Sequence, residues 1–296
     1  MGEIKTVDTR DSIKVVTSND FITIPEMSGL TLKARKLLYL ALAQCRKDDK
    51  GFYHYEVTPE ILSEQFNIGR NHVYEVADKL SSELMGLRFE VRENGKKKFM
   101  KRHVFDKCDY DDDSVFRFEL HKDMTDYLLG LKRDFTQLLL ADVMKMKSIY
   151  SIAIWHLMER EKQSRKVKIG KPIEFDLTLD ELRVVTGTEN KLKQVGQFKE
   201  KVLDKAIREF EYCRLAKVSY TNIKNGRTVV GFHFVMESLW GTYSPTPAQE
   251  EQLKKRIRKL DLMKKMNQGQ ISEKEYDELQ KLQLELDQMS INDFMK

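Results

Sequence analysis

The sequence predicts an α+β chain in which one ordered unit, helix, strand, helix, turn, helix and hairpin, occurs twice and is followed by a helical hairpin. Three observations carry that prediction. Thr178 to Met236 reads as a capped helix, a polar turn, a cationic amphipathic helix and an Asn-Gly hairpin. Thr31 to Phe105 repeats that order of parts without repeating the residues. Beyond Ser244-Pro245-Thr246-Pro247 the chain turns first basic and then acidic. Its length suits two domains of ordinary size plus a tail.

Residues 1–18 are polar and read as a frayed, flexible amino terminus. From Thr31 to Arg46, Leu32, Arg35, Lys36, Leu37, Leu40 and Ala43 give an amphipathic helix that stops at Asp48-Asp49-Lys50-Gly51. The aromatic run Phe52 to Val57 reads as a strand, and Thr58-Pro59 opens a helix with Ile61, Leu62 and Phe66 inward. The next helix, about Asn71 to Met85, turns Val73, Val76, Ala77, Leu80 and Leu84 to the core. Its other face leaves Arg70, Asn71, Tyr74 and Lys79 as candidates for a DNA groove, diluted by Glu75 and Glu83. Strands at Leu87 to Arg92 and Lys98 to Phe105 flank Asn94-Gly95, and Lys96, Lys97, Lys98, Lys101 and Arg102 suit phosphates. Asp109 to Asp113 reads as a loop, Ser114 to Leu120 as a strand, Met124 to Leu129 as a helix and Phe135 to Leu140 as a strand.

The second unit opens with a helix from Lys147 to Gln163 and a strand from Pro172 to Leu177. Thr178 then caps a short helix with Glu181 three residues on, and Gly187 ends it. From Val195 to Glu211, Val195, Phe198, Val202, Ala206 and Phe210 form one apolar stripe. The opposite face carries Gln194, Gln197, Lys201, Lys205 and Arg208; with Lys191, Lys193 and Lys199 added these are the candidate DNA contacts, Gln194 and Gln197 suiting adenine and Lys193 and Lys199 guanine or phosphate. Taken alone, Lys and Gln on such a helix are a solvated face. The hairpin at Lys224-Asn225-Gly226-Arg227 tips the reading, because a second set of cations beside the helix supplies backbone contacts. A helix-turn-helix with a β-ribbon attached is a winged helix, so the chain reads as two winged helices in tandem.

Several chemistries lack their residues. None of the six histidines falls into a His-x-His or His-Glu-x-x-His pattern, and no Gly-rich phosphate loop precedes a Lys-Ser/Thr pair. Cys45, Cys108 and Cys213 have no paired spacing, which points away from a metal site or disulfide framework and toward a reducing compartment. No apolar run approaches a membrane span and Met1 to Arg10 is charged, so a cytoplasmic protein with no cofactor, no metal, no membrane partner and no enzymatic activity is expected. A net charge of +5 is only mildly basic, so a nucleic-acid surface must be a local concentration of cations.

Val16 to Ile22 ahead of a helix opening at Leu30-Thr31, Lys147 to Met158, and Leu179 to Val185 with Phe198 to Glu209 together resemble the iteron-binding plasmid replication initiators. The similarity runs over about residues 15–237, with Ala153 where that family commonly has Arg and Phe210-Glu211 where it often has Ile-Asn. The resemblance implies a monomer on direct repeats (iterons) at a plasmid origin and a homodimer that binds an operator inverted repeat and represses its own gene. It also implies melting of AT-rich DNA, recruitment of the host initiator and replicative helicase, and no hydrolysis. Residues 19–138 would then carry backbone contacts and dimerisation, and residues 139–240 the main sequence reader. A winged-helix transcriptional regulator without an initiator role and a relaxase-like nicking endonuclease are the rival readings.

In residues 241–296, Gln249 to Met266 reads as a basic helix with Leu253, Ile257, Leu260 and Met263 in a stripe. Ser272 caps an acidic helix from Glu273 to about Asp287 with Tyr276, Leu279, Leu282 and Leu286 inward. Pairing of the two arms is the structural reading, and self-association or docking of a host factor the functional one.

Overall fold

A computed structural model describes residues 4–7, 13–22, 27, 29–46, 49–66, 72–92, 99–111, 115–131, 134–165, 171–239, 258–259, 262, 265–266 and 272–294. Residues 1–240 form one compact unit and residues 241–296 another.

The segment expected to be frayed holds two strands, β1 (Ile4–Thr6) and β2 (Lys14–Ser18). Burial of Val7, Ile13 and Val15 holds them, a spacing too short to register against the polar residues around it. Strand β1 runs parallel to β3 (His54–Val57), which pairs antiparallel with β7 (Phe116–Leu120), itself paired with β6 (Phe105–Tyr110). Asp109 and Tyr110, expected in a loop, therefore end β6. Strand β2 pairs with β8 (Phe135–Leu139), Lys14 opposite Leu139 and Ser18 opposite Phe135.

Helix α1 (Asn19–Ile22) follows β2, and α2 (Leu32–Leu42) starts where the Thr31 hydroxyl accepts the Ala34 N–H at 3.3 Å. Helices α3 (Pro59–Phe66) and α4 (Val73–Met85) form the first helix-turn-helix, with Val73, Ala77, Leu80 and Leu84 buried. Glu83, which reads from sequence as a charge on the DNA side of α4, instead accepts the Thr31 N–H at 2.8 Å and the Thr31 hydroxyl at 3.1 Å. The first hairpin is β4 (Arg88–Arg92) with β5 (Phe99–His103). A 3-10 turn (Lys122–Met124) and α5 (Thr125–Leu128) lead to β8.

Helix α6 (Leu140–Lys145) is too short for periodicity to reveal, and α7 (Ile149–Ser164) begins the second winged helix. It is followed by β9 (Ile173–Thr178), α8 (Leu179–Thr186) and a second helix in three continuous pieces. These are α9 (Val195–Phe198), a π turn (Lys199–Leu203) and α10 (Asp204–Tyr212). The wing is β10 (Ala216–Asn225) with β11 (Thr228–Ser238), and β11 also pairs with β9.

The two winged helices meet through α2. Its Lys36 ammonium donates to the Met144 carbonyl at 2.6 Å and the buried Arg35 guanidinium donates to the Ile149 carbonyl at 3.2 Å. Tyr39 Oη lies 2.7 Å from His156 Nδ1, and His156 Nε2 lies 3.3 Å from Thr17 Oγ1, all three side chains being buried. Helix α2, helix α7 and strand β2 thus share one polar chain that has no access to water.

In the second unit, α11 (Glu273–Phe294) opens on a capping box: the Ser272 N–H donates to Glu275 Oε2 at 3.1 Å and the Glu275 N–H to Ser272 Oγ at 3.4 Å. Arg258 pairs bidentately with Glu278 at 2.8–2.9 Å and Lys265 with Glu275 at 2.6 Å, so the basic and acidic arms do bind each other. Leu262 and Leu279 are buried; Tyr276, expected inward, is exposed. Leu253, Ile257, Leu260 and Met263 lie outside the described residues.

Burial pushes the His156 imidazole down to about 3, helped by the charges of Arg35 and Arg160. A histidine in the unfolded chain titrates near 6.5, so below that pH the unfolded state binds a proton that the folded state refuses. His156 therefore contributes stability that is complete above about pH 6.5 and declines as the pH falls toward about 3, by at most about 1.4 kcal/mol per pH unit. The urea midpoint of the wild type is expected to drop more between pH 7 and pH 4 than that of His156→Gln; parallel lines would remove His156 from this account.

Candidate nucleic-acid interface

The second helix of the second helix-turn-helix uses its apolar stripe completely. Phe198, Val202, Leu203, Ala206 and Phe210 are buried, with the Phe210 ring 5.3 Å from that of Trp155 on α7. A helix buried along one stripe must offer the rest to solvent. That remainder carries Gln194, Gln197, Lys201, Lys205 and Arg208, all exposed, along with the exposed carboxylates Glu200 and Glu211. Lys191 and Lys193 in the preceding turn are exposed as well. A cleft of about 500 Å³ runs beside the helix, lined by Tyr150, Lys191, Lys201, Lys205 and Arg208 together with Glu200. A larger cleft of about 790 Å³, near β8 and the end of α7, mixes Lys14, Arg160 and Lys162 with Asp142 and Glu159 and offers no field of one sign.

Lys199 departs from expectation. It is half-buried, its ammonium 5.4 Å above the Tyr220 ring of the wing, so it braces helix against ribbon. Tyr220 in turn donates from Oη to Asp204 Oδ1 at 2.7 Å, and burial followed by that bond raises its phenol above the usual range.

At the wing tip, Lys224, Asn225 and Arg227 are exposed. Asn225 pairs with Thr228, so the central residues of the turn are Gly226 and Arg227 rather than Asn225 and Gly226. Gly226 takes the left-handed φ of +61° there. Where β11 pairs with β9 there is no room for a side chain: a Cβ at Gly231 would sit 2.6 Å from the Leu177 carbonyl oxygen.

The turn between α8 and α9 is organised by Arg183. From α8, its guanidinium donates to the carbonyls of Thr188, Lys191, Leu192 and Lys193 at 2.9–3.1 Å. It lies 5.1 Å from the Phe198 ring of α9. The only clue to it in sequence is that Arg183 follows Leu179 by four residues and so shares the inward face of α8.

The first winged helix presents less. Tyr74 is 66% exposed, 5.7 Å from the Tyr110 ring, with Glu75 and Lys79 exposed beside it. On β5, Lys101 is exposed, whereas Arg102 is ion-paired to Asp123 and is less available to a phosphate. Arg70, Asn71, Lys96, Lys97 and Lys98 lie outside the described residues. Among the described residues there is no His, Cys, Asp or Glu group able to hold a metal and no helix long and apolar enough to cross a membrane.

A cationic, Gln-bearing second helix with a cationic ribbon beside it, preceded by another module of the same build, defines a DNA-binding protein of tandem winged-helix type. The model described as "Initiator Replication protein, WH1" matches residues 14–159 and that described as "Initiator Rep protein, WH2" matches residues 178–236. The chain belongs to the initiator replication protein family. Among solved structures it is similar to one titled "Crystal structure of Pi initiator protein in complex with iteron DNA", with a TM-score of 0.65 and 18% identity over 78% of this chain and 99% of that one. That likeness is one of fold. No curated protein matches the chain by sequence.

Tyr220→Phe is expected to lower stability by about 1 kcal/mol, the net worth of one hydrogen bond, and to speed amide exchange along residues 216–225. Unchanged exchange in the wing would show that the Tyr220 to Asp204 bond does not anchor it.

Proposed function

We propose that this chain is a plasmid replication initiator that binds tandem direct repeats, or iterons, at an origin. The observation that carries the reading is the single outward surface on which Gln194, Gln197, Lys201 and Lys205 project from the helix, with Lys224 and Arg227 on the ribbon of the same module. Glutamines near the amino end of such a helix suit adenine edges in a major groove, and the lysines suit flanking phosphates. The family membership and the fold shared with a protein crystallised on iteron DNA support the same reading. The first winged helix contributes phosphate contacts from β5 and its hairpin, and a homodimer contact that competes with them. The dimer binds an inverted repeat and represses the gene; the monomer opens nearby AT-rich DNA and recruits the host initiator and helicase in the cytoplasm, by binding alone and without hydrolysis.

A footprint tests it. One protected block per repeat on tandem direct repeats beside an AT-rich stretch is the expected pattern, whereas protection of a single palindrome alone would favour a transcriptional regulator. A covalent adduct with supercoiled origin DNA in the presence of a divalent metal would instead mean a nicking enzyme.

Replacing Lys201 and Lys205 with Ala is expected to weaken binding and to flatten log K against log salt by about 0.9 for each phosphate that the variant no longer neutralises. A slope equal to that of the wild type would place both lysines off the DNA. Deleting residues 245–296 is expected to leave affinity for one repeat within about threefold, since the DNA-facing helix and ribbon both lie upstream; a larger loss would bring the tail into the interface.

A further inference from the structure

Arg183 has an unusual set of partners. Its four hydrogen bonds all run to backbone carbonyls within one turn, those of Thr188, Lys191, Leu192 and Lys193. The side chain is only 8% exposed. Within the same turn Leu192 has φ of +50°, a left-handed conformation that a branched side chain resists and that persists only where the surroundings impose it. The guanidinium bonds the Leu192 carbonyl itself at 3.0 Å, and the Leu192 side chain packs against the core. A planar fork can bind carbonyls from both nitrogens at once, whereas an ammonium is a compact point donor that cannot span them.

This turn carries Lys191 and Lys193 and leads directly into Gln194, so its shape decides where those side chains stand relative to Gln197 one turn later. The contact between the guanidinium and the Phe198 ring ties that placement to the reading helix itself. We propose that Arg183 is a positioning residue for sequence discrimination: it touches no DNA, but by clamping the turn it sets the register of Lys191, Lys193 and Gln194 against base edges. The inference rests on the proposed DNA-reading function and adds a role outside the exposed surface.

The clamp predicts a particular failure. Arg183→Lys keeps the charge and every exposed cation, so attraction to phosphates survives while the turn loses its fixed shape. Specific affinity is then expected to fall and nonspecific affinity to hold.

The probe is a duplex enriched from a random-sequence pool by the full-length wild-type chain, compared with a scrambled duplex of the same composition, well below the melting temperature. For R183K the ratio of the two affinities is expected to drop by about tenfold, within the range for removing one good bidentate pair to a base. The salt slope on the scrambled duplex is expected to stay at its wild-type value. If R183K does not fold alone, R183K/L192G, in which the left-handed residue no longer opposes the turn, is judged by the same ratio. A wild-type ratio in a folded variant overturns the inference, and so does an equal loss on both duplexes, which would be a general structural effect. Failure of the wild type to enrich any sequence would overturn the proposed function, and this inference with it.

Discussion

The arrangement of residues 1–240 depends on one buried polar chain, Tyr39 to His156 to Thr17. A hydroxyl or an imidazole removed from water costs free energy unless it finds a partner, and here each finds it on a different segment of the chain. Sliding α2 along α7 would orphan Tyr39 and His156 together, and drawing β2 away would orphan Thr17. Lys36 and Arg35 reinforce the constraint by donating to carbonyls near the end of α6 and the start of α7, the stretch that links the two winged helices. The link is therefore held along its length, and the two modules have little freedom to turn independently. Stability of this kind is specific rather than large, since each bond contributes about 1 kcal/mol net.

From that frame the exposed cationic surface follows by elimination. Helix α7 offers Trp155 to Phe210, which commits the apolar stripe of the following helix to the interior. The π turn at Lys199–Leu203 contains the buried Val202 and Leu203, and it sits where Lys199 meets Tyr220 of the wing. With its apolar side spent, the helix has no alternative to presenting Gln197, Lys201 and Lys205 outward. The wing is tied to the helix by Tyr220, whose hydroxyl donates to Asp204 and whose ring lies under Lys199.

Periodicity and turn chemistry were enough to read the second winged helix nearly element by element, because its stripe, its Thr178 cap and its hairpin are local signals. What stayed hidden was set by distant partners. Strand β2 forms because Val15 finds a core, and its pairing to β8 spans more than a hundred residues. Glu83 looks like surface charge until Thr31 arrives beside it, and Arg102 looks like a free cation until Asp123 does. Lys199 and Lys201 are indistinguishable in sequence, yet a wing residue takes one and leaves the other in water. Arg183 is the clearest case, since its spacing from Leu179 marks an inward position but not the four carbonyls that its guanidinium binds there.

The charge balance explains why so much rests on placement. With 52 cationic and 47 anionic side chains the chain has little long-range pull on a duplex. Screening at physiological salt confines what pull there is to roughly 8 Å, so only a cluster already close to the phosphates is felt. A chain of this kind cannot obtain discrimination by adding attraction, because phosphate contacts are the same on every sequence. On the proposed function it would gain instead from losing little on docking: a second helix with its stripe fully buried, a ribbon braced against it, a turn clamped from behind and two modules joined by a dry polar chain. Each removes freedom before DNA arrives, and freedom removed in advance is not lost again on binding.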